Sequence, residues 1–346
     1  MSRRLTIKGD VKTGQVIEAV KALQADQVVL VTSAGSALVL SKHAAALRRL
    51  GSREAHLLIT DRSALNTRWQ NPSQEARKLA DAFMPGALTL RVPTAAGNQD
   101  VMMPDDNLLR NLASRFPETL AFLEVLDCDT HQELDDAYGH QVDIWLDSGP
   151  ARTQPSTLVD VTAAHAVVLR KGRVPILDLD RVLDRKVRLG PGVYFAVLFV
   201  CTGNTCRSAL AKALLEQRLK DDPAMVFSAG TANLSGMPAS EGAQAVAKEH
   251  GADLSRHSST GLTRIQIADA DLVLVMEPGH KRQVLEMSPE AASRTFTLTE
   301  YALRFELSEI PDPVGASLEV FRKVGKIIAE CLDQVVADVL ARQVEV

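Results

Sequence analysis

The chain has 346 residues, 46% of them hydrophobic and 24% charged, with 20 Gly and 15 Pro. This is globular usage. It excludes a collagen-like, fibrous or largely disordered chain, and at ~150 residues per domain it points to two domains, each with its own core. The net charge of −4 divides into 24 Lys+Arg against 23 Asp+Glu over residues 1–194 and 15 against 20 over residues 195–346, so neither half is a polycation demanding a nucleic-acid or membrane partner.

Arg3 and Arg4 lead into Lys8 and Asp10 rather than an apolar stretch, so no signal peptide is expected. The longest apolar run, Val193 to Cys201, is far short of the ~20 residues of a membrane span. Cys128, Cys201, Cys206 and Cys331 are too few and too scattered for a disulfide scaffold. The expectation is a soluble, cytoplasmic protein in a reducing compartment.

In chain order, Val16, Ala19, Val20 and Leu23 pattern an amphipathic helix, and Val28 to Val31 reads as a buried strand. Helix signals follow at Ala44 to Leu50 and Ser73 to Phe83. Strand signals follow at Leu57 to Thr60, Leu88 to Val92, Val142 to Leu146, Thr157 to Val161 and Val167 to Leu169. His131, Glu133 and Asp135 read as a solvated acidic turn, and the eight histidines form no metal-ligand constellation. Periodicity is lost from Lys171 to Val193. Within that region Arg170 to Arg188 carries seven Lys/Arg against three Asp, and reads as a solvated connector in preference to an RNA-binding patch. Gly190-Pro191-Gly192 sets three breakers in a row, which places the expected boundary near residue 192 and the domains at 1–192 and 193–346.

The second half opens with an apolar strand, Tyr194 to Val200, a turn from Cys201 to Arg207, and a helix patterned by Leu210, Ala213 and Leu214. Strands are expected at Met225 to Ser228, Leu272 to Met276 and Arg294 to Thr297. Helices are expected at Ser240 to Glu249, Lys281 to Met287 and Ser317 to Leu340. Alternation of this kind predicts a doubly wound parallel sheet, with ligands at the carboxyl ends of its strands.

That is where Cys201-Thr202-Gly203-Asn204-Thr205-Cys206-Arg207-Ser208 lies. A loop between strand and helix turns backbone N–H groups into an anion nest, and the helix N-terminus adds roughly half a positive charge behind it. Arg207 can fork two donors onto phosphoryl oxygens, and Gly203 permits backbone angles closed to other residues. Cys201, at the mouth of this field, should favour its thiolate, attack phosphorus and form a phosphocysteine that Ser208 helps to release. The plain alternative is a buried strand-end cysteine and a surface arginine. A Walker-type loop is excluded, because no Gly-Lys-Ser/Thr follows.

On these residues the second half resembles the low-molecular-weight protein-tyrosine-phosphatases. The resemblance covers residues 195–342 and includes Ser228-Ala229-Gly230-Thr231, Asp271 to Met276, Leu298-Thr299-Glu300-Tyr301 and Ile310-Pro311-Asp312-Pro313. It implies that Cys201, Arg207 and Asp312 are catalytic, Asp312 as general acid and then base, and that residues 202–208 bind phosphate without metal or cofactor. The expected substrates are phosphorylated proteins. Two positions bear on the leaving group. Thr205 stands where tyrosine-directed members carry a bulky aliphatic, and the whole loop resembles that of the protein-arginine-phosphatase branch. Val314 replaces an aromatic on which a phosphotyrosine ring would stack, and arginine-directed members also tend to carry an aromatic there. Cys206 has two open readings, a thiol that traps oxidised Cys201 or a packing residue.

The first half resembles YrdC-like threonylcarbamoyl-AMP synthases in pieces. These are Phe83 to Leu90, Asp147-Ser148-Gly149-Pro150, Ser156 to Asp160 and Leu169-Arg170-Lys171-Gly172. That family makes an adenylate from threonine, bicarbonate and ATP for tRNA modification, on a twisted α/β sheet. Its catalytic segments are replaced here by Val31 to Ala37, Gly51-Ser52-Arg53, Met102 or Met103 before Pro104-Asp105, and Leu123-Glu124-Val125. Losing those cations and hydroxyls removes most of the electrostatic stabilisation of such a site, so an inactive domain is expected, with Ser156 and Thr157 as candidate nucleotide contacts. A nucleotide or tRNA-related ligand for this half stays open.

The expected fold class is therefore α/β in two domains, an N-terminal YrdC-like twisted mixed sheet and a C-terminal doubly wound parallel-sheet phosphatase. The rival reading is a nucleotidyl transferase of tRNA modification with an accessory phosphatase. A third makes the first half a non-catalytic module that delivers substrates.

Overall fold

A computed structural model describes residues 3–7, 13–33, 36–50, 55–116, 118–126, 128, 130–149 and 155–343. The chain divides into two compact units, Met1–Val174 and Pro175–Val346. In the first unit the elements run β1 (Arg3–Thr6), α1 (Thr13–Gln24), β2 (Val29–Ser33), β3 (Ser36–Ser41), α2 (Ala44–Arg48), β4 (His56–Leu58), α3 (Arg62–Asn66), α4 (Gln74–Phe83), β5 (Leu88–Thr94) and β6 (Gly97–Met102). They continue with α5 (Asn107–Arg115), β7 (Leu120–Glu124), α6 (His131–Tyr138), β8 (Ile144–Asp147), β9 (Thr157–Asp160) and β10 (Val167–Arg170).

The strands hydrogen-bond in the order β1-β8-β2-β3-β7-β4-β6-β5-β9-β10. β8 pairs parallel with β1 and β2, whereas β2/β3 and β3/β7 are antiparallel, so the sheet is mixed. Its central strands are apolar at successive positions because both faces are covered. Leu40, Phe122 and Leu146 pack with Val16 and Leu23 of α1 and Leu112 of α5, while Leu30, Val39 and Trp145 pack with Leu47 and Leu134 on the other side.

Several expectations change here. β3, β6 and β7 were not among the expected strands; β3 and β7, covered on both faces, lack the alternation that announces a strand with a wet face, and β6 opens on the exposed polar run Gly97-Asn98. Leu123 and Glu124, which stand where the YrdC-like family has a catalytic segment, lie within β7. His131, Glu133 and Asp135 are helical: Thr130 and Glu133 close a capping box on α6, and His131 Nε2 lies 3.1 Å from Asp147 Oδ1. Ala34, Gly35, Gly51, Ser52, Arg53 and Pro150, all part of the motif comparison, lie outside the described residues.

The second unit begins with α7 (Ile176–Leu183) and β11 (Arg188–Leu189), followed by β12 (Phe195–Cys201), α8 (Arg207–Arg218), β13 (Ala224–Gly230), α9 (Glu241–Glu249), α10 (Arg264–Asp269) and β14 (Leu272–Val275). α11 (Pro278–Met287), β15 (Thr295–Thr297), α12 (Leu298–Tyr301) and α13 (Leu318–Leu340) complete it. β12 to β15 form an all-parallel sheet in the order β13-β12-β14-β15. One face packs Leu198, Val200, Val273 and Val275 against Ile267 of α10 and Val284 of α11, and α8, α9 and α13 pack together as the other layer. This is the doubly wound arrangement, and the carboxyl end of its central strand β12 is Cys201.

The basic stretch expected to be a solvated connector is instead built into this unit, so the chain divides after Val174 rather than near residue 192. α7 buries Ile176, Leu177, Leu179 and Leu183. Its Asp180 accepts hydrogen bonds from Val187 N at 2.8 Å and from Arg342 Nη1 and Nη2 at 3.0 and 2.6 Å. Arg342 is fully buried, with its guanidinium 4.3 Å from the centre of the Phe195 ring. Asp271 ties the same segment to the sheet by accepting from Ile176 N at 3.1 Å and Ala196 N at 2.9 Å. The stretch looked connector-like because its apolar residues are interleaved with charges, one of which, Asp180, is internal.

Asp180→Ala leaves a buried guanidinium without its partner and is expected to destabilise the second unit by about 3–5 kcal/mol. The double variant Asp180→Leu with Arg342→Met should lose much less, read by urea unfolding of the full chain.

Candidate functional site

β12 ends at Cys201, the chain loops through residues 202–206, and α8 starts at Arg207. The first turn of a helix leaves backbone N–H groups without intrahelical acceptors, and these lie behind the loop. Cys201 Sγ is 2.9 Å from Ser208 Oγ, to which Asn204 Nδ2 donates at 2.9 Å. Asn204 is fully buried at φ +53°, so it holds the left-handed corner of the loop. Asn tolerates that region better than most side chains.

The expectation that Gly203 is needed for its backbone angles is not met. A Cβ on Gly203 would meet only ordinary contacts, whereas one on Gly230 would sit 2.7 Å from Thr202 O and 3.0 Å from Asn204 N. The residue whose lack of a side chain lets the loop close is therefore Gly230, at the end of β13.

Around this loop stand groups that spacing along the chain did not bring forward. Asn204 Oδ1 accepts from Thr260 N at 2.9 Å, and its carbonyl accepts from His257 Nε2 at 2.6 Å. Thr202 Oγ1 is 2.9 Å from Nε2 of His280, which is 2% exposed. Thr205 O accepts from Ser240 N at 2.9 Å, and the Cys206 thiol donates to Ser240 Oγ at 3.2 Å, a packing arrangement that ties the loop to the cap of α9.

Arg207 is 2% exposed. Its Nη1 donates to Glu277 Oε2 at 3.0 Å and to Ile310 O at 3.2 Å, and its Nη2 donates to Asp312 Oδ2 at 2.6 Å. The other Asp312 oxygen accepts from Val314 N at 3.2 Å. Cys201, Arg207 and Asp312 thus meet in one place, although Asp312 lies far along the chain. Val314 is 71% exposed beside them, and Leu234, the side chain nearest Gly203 from the loop after β13, is exposed too. Chemically the arrangement provides a thiol at the end of β12, a buried cation and a carboxylate held on that cation.

In the first unit, Ser156 and Thr157 are already engaged. Ser156 N and Oγ donate to Glu124 at 2.8 and 3.1 Å, Ser156 Oγ is 2.5 Å from Thr89 Oγ1, and Arg170 pairs with Glu124. Thr157 Oγ1 donates to Val174 O at 2.8 Å. Among the described residues no group of His, Cys, Asp and Glu is placed to hold a metal ion, and no helix is long and apolar enough to cross a membrane.

A parallel-sheet domain with a Cys-x5-Arg-Ser loop at the end of its central strand defines a cysteine-dependent phosphatase fold, and comparison with known proteins agrees. Residues 196–345 match the family model for low molecular weight phosphotyrosine protein phosphatases, and residues 30–172 match the Sua5/YciO/YrdC model, described as telomere recombination. The protein-arginine-phosphatase of Geobacillus stearothermophilus is 40% identical over 141 residues, 40% of this chain and 93% of that protein. A probable low molecular weight protein-tyrosine-phosphatase, EpsP, of Ralstonia nicotianae is 37% identical over 137 residues, 40% of this chain and 90% of that protein. The solved YwlE arginine phosphatase of Geobacillus stearothermophilus is 38% identical, covers 41% of this chain and 91% of its own, and superposes with a TM-score of 0.39. The chain belongs, through its second unit, to the low molecular weight phosphotyrosine protein phosphatase family, a family of hydrolases, fused behind a YrdC-like unit.

Burial pushes the His257 imidazolium below the usual histidine range, and burial does the same to His280, against the pull of Glu277. The unfolded chain therefore takes up these protons first. The stability these two histidines contribute is fully present above pH ~6.5 and is lost as pH drops through that value toward their folded-state titrations. His257→Gln, which can still donate to Asn204 O, should flatten this slope, as measured by Tm between pH 8 and pH 5.

Proposed function

We propose that the second unit hydrolyses phosphorylated protein side chains, phosphoarginine in preference to phosphotyrosine, through a phosphocysteine on Cys201. The observation that carries this is the convergence of Cys201, Arg207 and Asp312, with Ser208 Oγ 2.9 Å from the nucleophile. In the first step Cys201 Sγ bonds to phosphorus and the bond from phosphorus to the leaving nitrogen or oxygen breaks, with Asp312 delivering the proton. In the second step water attacks phosphorus and gives its proton to Asp312. The sulfur leaves as thiolate, stabilised by the Ser208 hydroxyl, and inorganic phosphate is released. Residues 202–208 and the guanidinium of Arg207 hold the phosphoryl oxygens throughout.

Two features support the preference. Thr205 puts a small hydroxyl beside the phosphorus, able to hydrogen-bond a guanidinium or a water, where a branched aliphatic could do neither. Val314 offers no ring for a tyrosine to stack on, which weighs against phosphotyrosine without itself favouring phosphoarginine. The 40% identical relative bearing the name protein-arginine-phosphatase supports the same substrate.

For the first unit we propose a non-catalytic role. Glu124 takes the backbone N–H, hydroxyl and guanidinium donors of Ser156 and Arg170, the kind of donors that would otherwise receive an anionic ligand.

Hydrolysis of p-nitrophenyl phosphate by the full chain is expected, with Cys201→Ser reducing it about a thousandfold or more and Asp312→Asn lowering kcat about 10²–10⁴-fold. Phosphoarginine peptides should be turned over faster than phosphotyrosine peptides, and Thr205→Ile should reverse that order; an unchanged order would refute the role given to Thr205. Pyrophosphate release dependent on ATP and threonine is expected to be absent, and its detection in the Cys201→Ser chain would overturn the non-catalytic reading of the first unit.

A further inference from the structure

Glu277 is the N-cap residue of α11, with an extended backbone at φ −154° and ψ 160°, and its side chain makes no capping hydrogen bond. Ser, Thr, Asp or Asn would serve that helix better. The carboxylate is turned instead toward Arg207. One oxygen accepts from Nη1 at 3.0 Å, and the other lies 3.6 Å from Nε2 of His280, the imidazole that holds Thr202.

A guanidinium nitrogen of the Nη type carries two hydrogens. On Arg207 Nη1 these are taken by Glu277 and by the carbonyl of Ile310. The part of the fork left for a ligand is the Nη2 and Nε edge, and in the substrate-free chain Asp312 sits on its Nη2. The two carboxylates therefore stand in different relations to the arginine. Asp312 must leave when phosphoryl oxygens arrive, because they need the same donors and because its own proton is needed at the leaving group. Glu277 occupies donors that the phosphoryl group does not use.

We propose that Glu277 is a positioning residue for Arg207: it holds the Nη1 side of the guanidinium so that the Nη2 and Nε edge faces the phosphoryl group when Asp312 departs. This rests on the roles given above to Cys201, Arg207 and Asp312. A carboxylate so close to a phosphoryl dianion also repels it, so the hydrogen bond and the charge must be separated. Gln at 277 keeps an acceptor for Nη1 and removes the charge, whereas Ala removes both.

The test is steady-state kinetics of the full chain with p-nitrophenyl phosphate, together with inhibition by vanadate, in wild type, Glu277→Gln, Glu277→Ala and Cys201→Ser. Loss of one charge-assisted hydrogen bond to a buried group predicts that Glu277→Ala lowers kcat/KM about 10–100-fold, with the larger part in kcat and with weaker vanadate inhibition. Glu277→Gln should stay within about threefold of wild type on the same argument. The proposal is overturned if Glu277→Ala keeps wild-type kcat and binds vanadate more tightly, which is the behaviour of a charge that only repels. It is equally overturned if Ala and Gln lose the same activity in step with Tm. Hydrolysis that survives Cys201→Ser would instead remove the reading of the site on which the proposal stands.

Discussion

A guanidinium cannot be withdrawn from water alone, and the organisation of the second unit follows from burying one at the end of its central strand. Arg207 is drawn in by the helix that follows Cys201, and three acceptors from distant parts of the chain, Glu277, Ile310 O and Asp312, converge on it. Each reaches the site because the parallel sheet brings the carboxyl ends of its strands to one edge: Glu277 comes just after β14, and Ile310 and Asp312 on the long connection into α13. With no anion bound, the carboxylates keep the charge neutralised. With a phosphoryl group bound, that group can do the same. The charge is thus balanced in both states, which a buried cation in a low-dielectric site requires.

How much of this could be read in the sequence depended on how local each feature is. The strand, loop and helix from Phe195 to Arg218 were legible because apolar run, turn and helix follow one another directly and the reactive residue types fall inside the turn. Asp312 came through resemblance, since an Asp-Pro pair alone is an ordinary turn. Glu277, His257 and His280 left no pattern, because each acts through the tertiary neighbourhood of a single side chain. The roles of Gly203 and Gly230 were exchanged for a related reason: a glycine inside a motif attracts attention, but the close approach occurs across β12 and β13. In the first unit, β3 and β7 were concealed by being covered on both faces and the charged residues of α6 hid an amphipathic helix; in the second, the charges of α7 hid another, since Asp180 and its partner are inside rather than out.

The two units differ in what their polar centres are left to do. In the second, an arginine and a cysteine lie near exposed side chains such as Val314, and the carboxylate on the arginine, Asp312, is itself exposed. In the first, Glu124, Ser156, Thr89 and Arg170 bond with one another on buried strands. A donor set that has an internal acceptor is part of the scaffold. The same pairing of carboxylate and guanidinium therefore stands beside exposed side chains in one unit and among buried ones in the other.

The segment from α7 to β11 lies ahead of residue 196, where the family match begins, yet it supplies the acceptor for the most deeply buried cation of the second unit. The boundary that homology sees and the boundary that physics sees are consequently different objects. A fragment cut to the homologous region would contain every group of the site and still hold Arg342 without its counter-ion. Poor behaviour in such a fragment would report on where it was cut, not on its chemistry.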